Sequence, residues 1–275
     1  MGTFFESLLQ LILLICLPPC LLGLLAWGAR QICCMLMGDE EGRPLLQAFS
    51  VLSTPLRELG HVIACVLFLH RIEEMRLLDL HDPDGEWGFV EHSYHPRNPI
   101  AVLGNLPYAL GPIATGLLAV LVICSTCFYG VIPQLFGEIT ALVEAGAGLG
   151  AYVKAAISLI PGLFTTGSAP MVLRILGCVL LLAVCFGIYV SPIELKDALG
   201  GLAIFSVLAT VVAGVLMLFD DRVLRIFFGG IRAYAAGVTA LFLVVLLALA
   251  ALIVIGLLFR IARMFFSRGD AGGEM

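Results

Sequence analysis

Residues 235–259, AAGVTALFLVVLLALAALIVIGLLF, contain no charged side chain. A helix of that length crosses about 30 Å of hydrocarbon. A backbone in lipid must satisfy its own hydrogen bonds, which leaves helices or a closed barrel, and a continuous apolar run excludes the barrel's alternating pattern. Working outward, this run extends to about 234–262, and comparable ones lie near 8–29, 45–70, 100–126, 171–190 and 198–219. The predicted fold class is an all-α polytopic membrane protein of about six transmembrane helices. Composition agrees: of 275 residues, 61% are hydrophobic and 13% charged, and the mean hydropathy is +1.08, outside the range of soluble domains. The net charge of −5 is spread over short loops with no basic tract, so the expected partner is the lipid bilayer and not nucleic acid.

The first run has no basic leader and carries Pro18-Pro19 at its middle, so it is expected to stay as a kinked span and not to be cleaved as a signal peptide. Three regions follow: an N-terminal span and loop over 1–44, a membrane core over 45–220, and a C-terminal span with a disordered tail over 221–275. Within the core, 127–170 is Gly-rich with scattered charges and suits interfacial or re-entrant helices. Residues 72–95 contain two apolar-containing runs around an Asp84-Gly85 turn signal, which predicts a short β-hairpin-like loop. Trp87, Phe89 and Tyr94 give that loop an interfacial character. An even span count places both termini on one side. Arg260, Arg263 and Arg268 favour the cytoplasm, as do Arg71, Arg76 and Arg97, while Arg222, Arg225 and Arg232 on an opposite-side loop oppose it. Compact size and short loops suggest a bacterial inner membrane. The nine cysteines, including the CxxC pair Cys124 and Cys127, lie mostly in apolar runs and read as packing residues.

All five histidines, at 61, 70, 81, 92 and 95, fall in one stretch. It opens inside the second apolar run with Arg57-Glu58-Leu59-Gly60-His61. Charges near the centre of a membrane helix cost about 2.5–3.5 kcal/mol each on insertion scales, so they normally face a bundle interior and mark function. Glu58 and His61, at i and i+3, share a helix face suited to a metal or a proton. His81 lies in the turn and reads as solvent-exposed. His92 and His95 converge on a helix but diverge on a strand. Asn105, in the Pro/Gly-interrupted stretch 105–112, is the polar residue placed to bond a substrate backbone or a carboxylate.

The stretch Arg57-Glu58-Leu59-Gly60-His61 resembles the HExxH helix of the site-2 protease family of intramembrane zinc metalloproteases. A hairpin-like loop follows it, then a span opening with Asn105, Pro107, Gly111 and Pro112. Later, Ser191-Pro192-Ile193-Glu194-Leu195-Lys196-Asp197 resembles the position of the family's second motif. The resemblance covers about residues 45–220. It implies zinc held by His61 and by Glu194, or less readily Asp197, with Glu58 as the catalytic general base. Arg57 stands where the first histidine ligand belongs, and a guanidinium does not ligate zinc. Only two ligands remain, and a third would have to come from His70, His92 or His95.

The preferred reading is therefore a degenerate member that does not hydrolyse peptides. In it Arg57, Glu58, His61 and Glu194 form a buried ion-pair cluster, and the protein binds a transmembrane partner or acts as a scaffold. A noncanonical metalloprotease using His61, Glu58 and Glu194 is the alternative, and an ion or small-solute transporter or channel is a further one.

Overall fold

The structure, a computed structural model, describes residues 2–38, 40–80, 87–165, 169–216, 218–219 and 221–270. In chain order its elements are α1 (Gly2–Met37), α2 (Arg43–Leu67), β1 (Arg71–Arg76), β2 (Phe89–Ser93), α3 (Pro99–Cys127), α4 (Val131–Glu144), α5 (Leu149–Thr165), α6 (Met171–Cys185), α7 (Pro192–Asp197), α8 (Leu199–Leu216) and α9 (Asp221–Asp270). Stretches within α1, α3, α8 and α9 are long and apolar enough to cross a membrane. The chain is thus a multi-pass helical membrane protein by length and composition. All nine cysteines are unpaired.

Two expectations about the spans change. The runs at 171–190 and 198–219 form the two parts of one broken traverse. Gly177 of α6 packs on Cys127 and Phe128 at the C-terminal end of α3, whereas Gly201 of α8 packs on Leu103 and Leu106 near its N-terminal end. With 15 residues, α6 reaches only about 22 Å, and the chain unwinds after it, with α7 lying in the gap. The second change concerns the chain ends. Helices α1 and α9 run parallel: Leu11 clusters with Phe228, Cys33 Sγ lies 3.9 Å from the Leu249 carbonyl, Gly256 faces Leu36 and Met37, and Arg263 pairs with Glu41. The N-terminal end of α1 and the C-terminal end of α9 therefore lie at opposite ends of the bundle, not on one side. Arg222, Arg225 and Arg232 belong to the first turns of α9 and not to a loop. The chain stays helical past Arg260 to Asp270, where a disordered tail is the sequence expectation; residues 271–275 lie outside the described residues.

The predicted hairpin is present as an antiparallel pair, with Ile72 opposite His92, Met75 opposite Val90 and Arg76 opposite Phe89. The register shifts between Ile72 and Glu74, which inserts Glu73. Its expected turn, with His81, Asp84 and Gly85, lies outside the described residues. Instead of projecting away, the hairpin returns along α2: the Gln47 side chain donates to the Leu80 carbonyl at 2.9 Å, and Gly88 abuts Thr54 and Glu58. The 127–170 region forms α4 and α5, at 14 and 17 residues, each short of about 30 Å.

What positions the site is the close approach of α2 and α3. A Cβ on Gly60 would stand 2.4 Å from the Gly111 carbonyl carbon, and one on Gly111 would stand 2.4 Å from the Gly60 oxygen. Contact between two backbones leaves no flexible side chain to yield. Thr115 Oγ1, one turn further, donates to the Leu56 carbonyl at 3.0 Å. Gly60→Ala is expected to lower the thermal midpoint in detergent by an amount matching about 1–3 kcal/mol. Gly28→Ala, inside α1 where a Cβ meets nothing within 4 Å, should leave it the same or slightly higher.

Candidate functional site

The polar residues of α2 meet the unwound end of α6 in the middle of the bundle. Val190 marks the level: its amide donates to the Gly23 carbonyl of α1 at 3.2 Å. Immediately after it, Ser191 caps α7 with a reciprocal pair of bonds. Its hydroxyl accepts from the Glu194 amide at 3.2 Å, while Glu194 Oε2 accepts from the Ser191 amide at 2.7 Å. This capping box fixes the carboxylate and leaves Oε1 facing α2.

That oxygen is shared. Arg57 Nη2 donates to Glu194 Oε1, and His61 Nε2 lies 3.2 Å from the same atom. Arg57 Nη1 donates to Glu58 Oε1 at 2.8 Å. One guanidinium therefore bridges two carboxylates, of which Glu58 is 1% exposed. The Arg57 guanidinium also lies 4.7 Å from the centre of the Tyr189 ring, a favourable position for a desolvated cation. His61 Nδ1 is 3.0 Å from the Tyr108 carbonyl. A carbonyl only accepts, so Nδ1 carries a proton and Nε2 is the atom turned toward Glu194; that contact becomes a hydrogen bond when Nε2 is also protonated. Sequence reasoning thus grouped Arg57, Glu58, His61 and Glu194, and the fold brings these four together.

The other histidines form a second group. Leu69 takes φ 62°, and the His70 amide donates to the Cys65 carbonyl at 2.9 Å, a Schellman-type end to α2. This turn buries His70 against Gly104, where Nε2 donates to the Ala101 carbonyl at 2.7 Å and Nδ1 is left enclosed and unpartnered. His92 stacks on His70 with ring centres 4.9 Å apart and planes 7° from parallel, and it also packs on Tyr108 at 4.0 Å. His95 is exposed beyond the strand and accepts from the Arg97 amide at 3.3 Å. Asp197 is exposed on α7. Asn105 is 6% exposed and makes no side-chain hydrogen bond among the described residues; it sits on the α3 face between Ala101 and Tyr108, whose carbonyls orient His70 and His61.

Among the described residues, no group of three or more His, Cys, Asp or Glu side chains is placed to hold a metal. His70 and His92 lie in this second, stacked group, with the Tyr108 ring between it and His61. The zinc that the resemblance implies does not fit the residues as they stand, with Arg57 already bonded to both carboxylates.

Tyr108, Tyr189 and Arg30 escaped sequence reasoning. Tyr108 joins both groups: its carbonyl and ring contact His61, its ring contacts His92, and its hydroxyl donates to the Val90 carbonyl at 3.0 Å, which ties the hairpin to α3. The available signal was an aromatic residue three positions after Asn105 in a Pro/Gly-interrupted helix. Comparison with protein-family models, with curated proteins and with solved structures finds no match.

Burial pulls His92 down to about 4, helped by the neighbouring His70 and His61 and opposed by Asp197. In the unfolded chain the group titrates near 6.5, so below that pH the unfolded state binds the proton first. Stability is expected to fall as pH drops from about 6.5 through 4, and His92→Gln should flatten that part of the profile, as read by unfolding midpoints across this range.

Proposed function

We propose that this chain is a multi-pass membrane protein with a site-2-protease-like core whose polar centre is closed by Arg57 in place of a metal ion. In this reading it is a non-catalytic binding or scaffold component for a transmembrane protein partner. Its compact size and short loops suit a bacterial inner membrane. The observation that carries the reading is the Arg57 guanidinium bonded to Glu58 and Glu194 together. In a hydrolytic site those carboxylates would serve a cation and a water; here both already have a permanent cation. Hydrolytic zinc generally takes three protein ligands and an open position, whereas His61 and Glu194 supply two. A general base whose carboxylate is held in an ion pair is also poorly placed to take a proton from water.

A buried pair of this kind needs no metal, but it does need both partners, since removing one leaves an uncompensated charge. The cluster therefore reads as a fixed core around which α2, α3 and α7 are held. The hairpin and the half-buried faces around it are left for a partner.

Metal content of the full-length protein in mild detergent, beside an identically handled His61→Ala variant, tests the reading. The expected result is zinc far below one ion per chain in both, with the variant less stable. Near-stoichiometric zinc in the parent that disappears with His61 would overturn it and direct the search for a third ligand to His70, His92 and His95.

A further inference from the structure

Arg30 of α1 is a second cation at the same centre, and Glu58 and Glu194 do not serve it. Its guanidinium lies 4.8 Å from the Phe186 ring centre and 4.7 Å from that of Tyr189, the ring that also faces Arg57. The two rings hold the side chain toward the unwound 186–191 segment instead of letting it extend to the membrane surface. Among the described residues it makes no hydrogen bond and no ion pair, and its Nε is fully enclosed. The Tyr189 hydroxyl likewise makes no hydrogen bond among the described residues, and Arg57 Nε is enclosed and unpartnered. The two Nε atoms are shut in, so the groups open to a ligand are the Arg30 Nη atoms and the Tyr189 hydroxyl, all able to donate.

We infer that Arg30 and the Tyr189 hydroxyl, beside Arg57, form a phosphate-binding site between α1 and the 186–191 segment. A planar guanidinium offers a paired fork that matches two oxygens of a phosphate, and the phenol supplies a third donor. A cationic ligand would be repelled here and one that only donates would leave these groups unmet, whereas an anion with several oxygens meets the charge and the donors together. Basic pockets between membrane helices take anionic headgroups, and α1 ends at Met37, about 10 Å of helix beyond Arg30, which brings the site within reach of the headgroup layer at that end of the bundle. The phosphate is therefore that of an anionic lipid or a free phosphate. The inference does not rest on the metal-free reading, because neither Arg30 nor Tyr189 belongs to the implied zinc site.

The test uses the full-length protein in mild detergent and follows the thermal midpoint during three titrations: phosphatidylglycerol, phosphatidylcholine and inorganic phosphate. The expected result is a midpoint rise with phosphatidylglycerol beyond that with phosphatidylcholine, with an apparent affinity about tenfold weaker in Arg30→Gln and intermediate in Arg30→Lys. A rise with inorganic phosphate alone that is lost in Arg30→Gln upholds the site and assigns it to free phosphate. Tyr189→Phe keeps both rings stacked and removes only the hydroxyl, so it decides the matter if Arg30→Gln does not fold: several-fold weaker binding is expected. No phosphate-dependent rise in the parent overturns the inference. So does a rise that Arg30→Gln retains in full, or one unchanged in Tyr189→Phe where Arg30→Gln cannot be measured.

Discussion

Two carboxylates brought together in the middle of an apolar bundle repel one another, and each loses several kcal/mol of hydration on burial. Glu58 and Glu194 come from elements far apart in the chain, so α7 docks against α2 only where a cation stands between them. Arg57 is that cation, and it comes from α2 itself, next to Glu58. The rest of the centre follows from this placement. The Ser191 capping box aims Glu194 at the guanidinium. Tyr189 lies over it, and His61, held through Nδ1 by the Tyr108 carbonyl, closes the remaining side of Glu194.

The same constraint accounts for the broken traverse. A continuous helix from α6 into α8 would bond its own backbone and could not offer a carboxylate fixed by a helix start. Unwinding over 186–191 provides that start at Ser191, and the Gly23 carbonyl of α1 takes up the freed Val190 amide. The interruption is built from small and capping residues: Gly187 packs on Ser53 of α2, where a Cβ would stand 2.7 Å from its side chain. Non-helical backbone at this depth is tolerated because it is enclosed by protein.

Much of this was legible in the chain. Charges inside an apolar run have few places to go, which marked Arg57, Glu58 and His61, while Glu194 was joined to them through the resemblance of Ser191–Asp197 to the site-2 protease family's second motif. Two apolar-containing runs around the Asp84-Gly85 turn signal were enough to mark the two strands. The arrangement of spans was not legible, because hydropathy registers apolar length and carries no record of level: 171–190 and 198–219 each read as a span, and only the contacts of Gly177 and Gly201 with opposite ends of α3 join them into one traverse. An error of one in that count moves a chain end to the other side, as the parallel course of α1 and α9 shows. Tyr108 and Tyr189 were illegible for a different reason. Their roles use a backbone carbonyl and a ring face, neither of which leaves a polar signature in an apolar run. Arg30 lay at the edge of its run, where an arginine is ordinarily an anchor at the membrane surface.

The interaction between Arg57 and Glu194 is measured most directly by a double-mutant cycle on the full-length protein, with Arg57→Gln, Glu194→Gln and the pair, read by unfolding free energy in mild detergent. If the guanidinium is the central cation, each single change is expected to destabilise by about 3–5 kcal/mol, and the double change should cost less than their sum: Glu58 loses its cation in both Arg57→Gln and the double variant, but of those two only the double leaves no Glu194 charge uncompensated. Additivity of the two changes within about 0.5 kcal/mol would contradict the account and leave Arg57 as a neighbour of Glu194 without a hold on it.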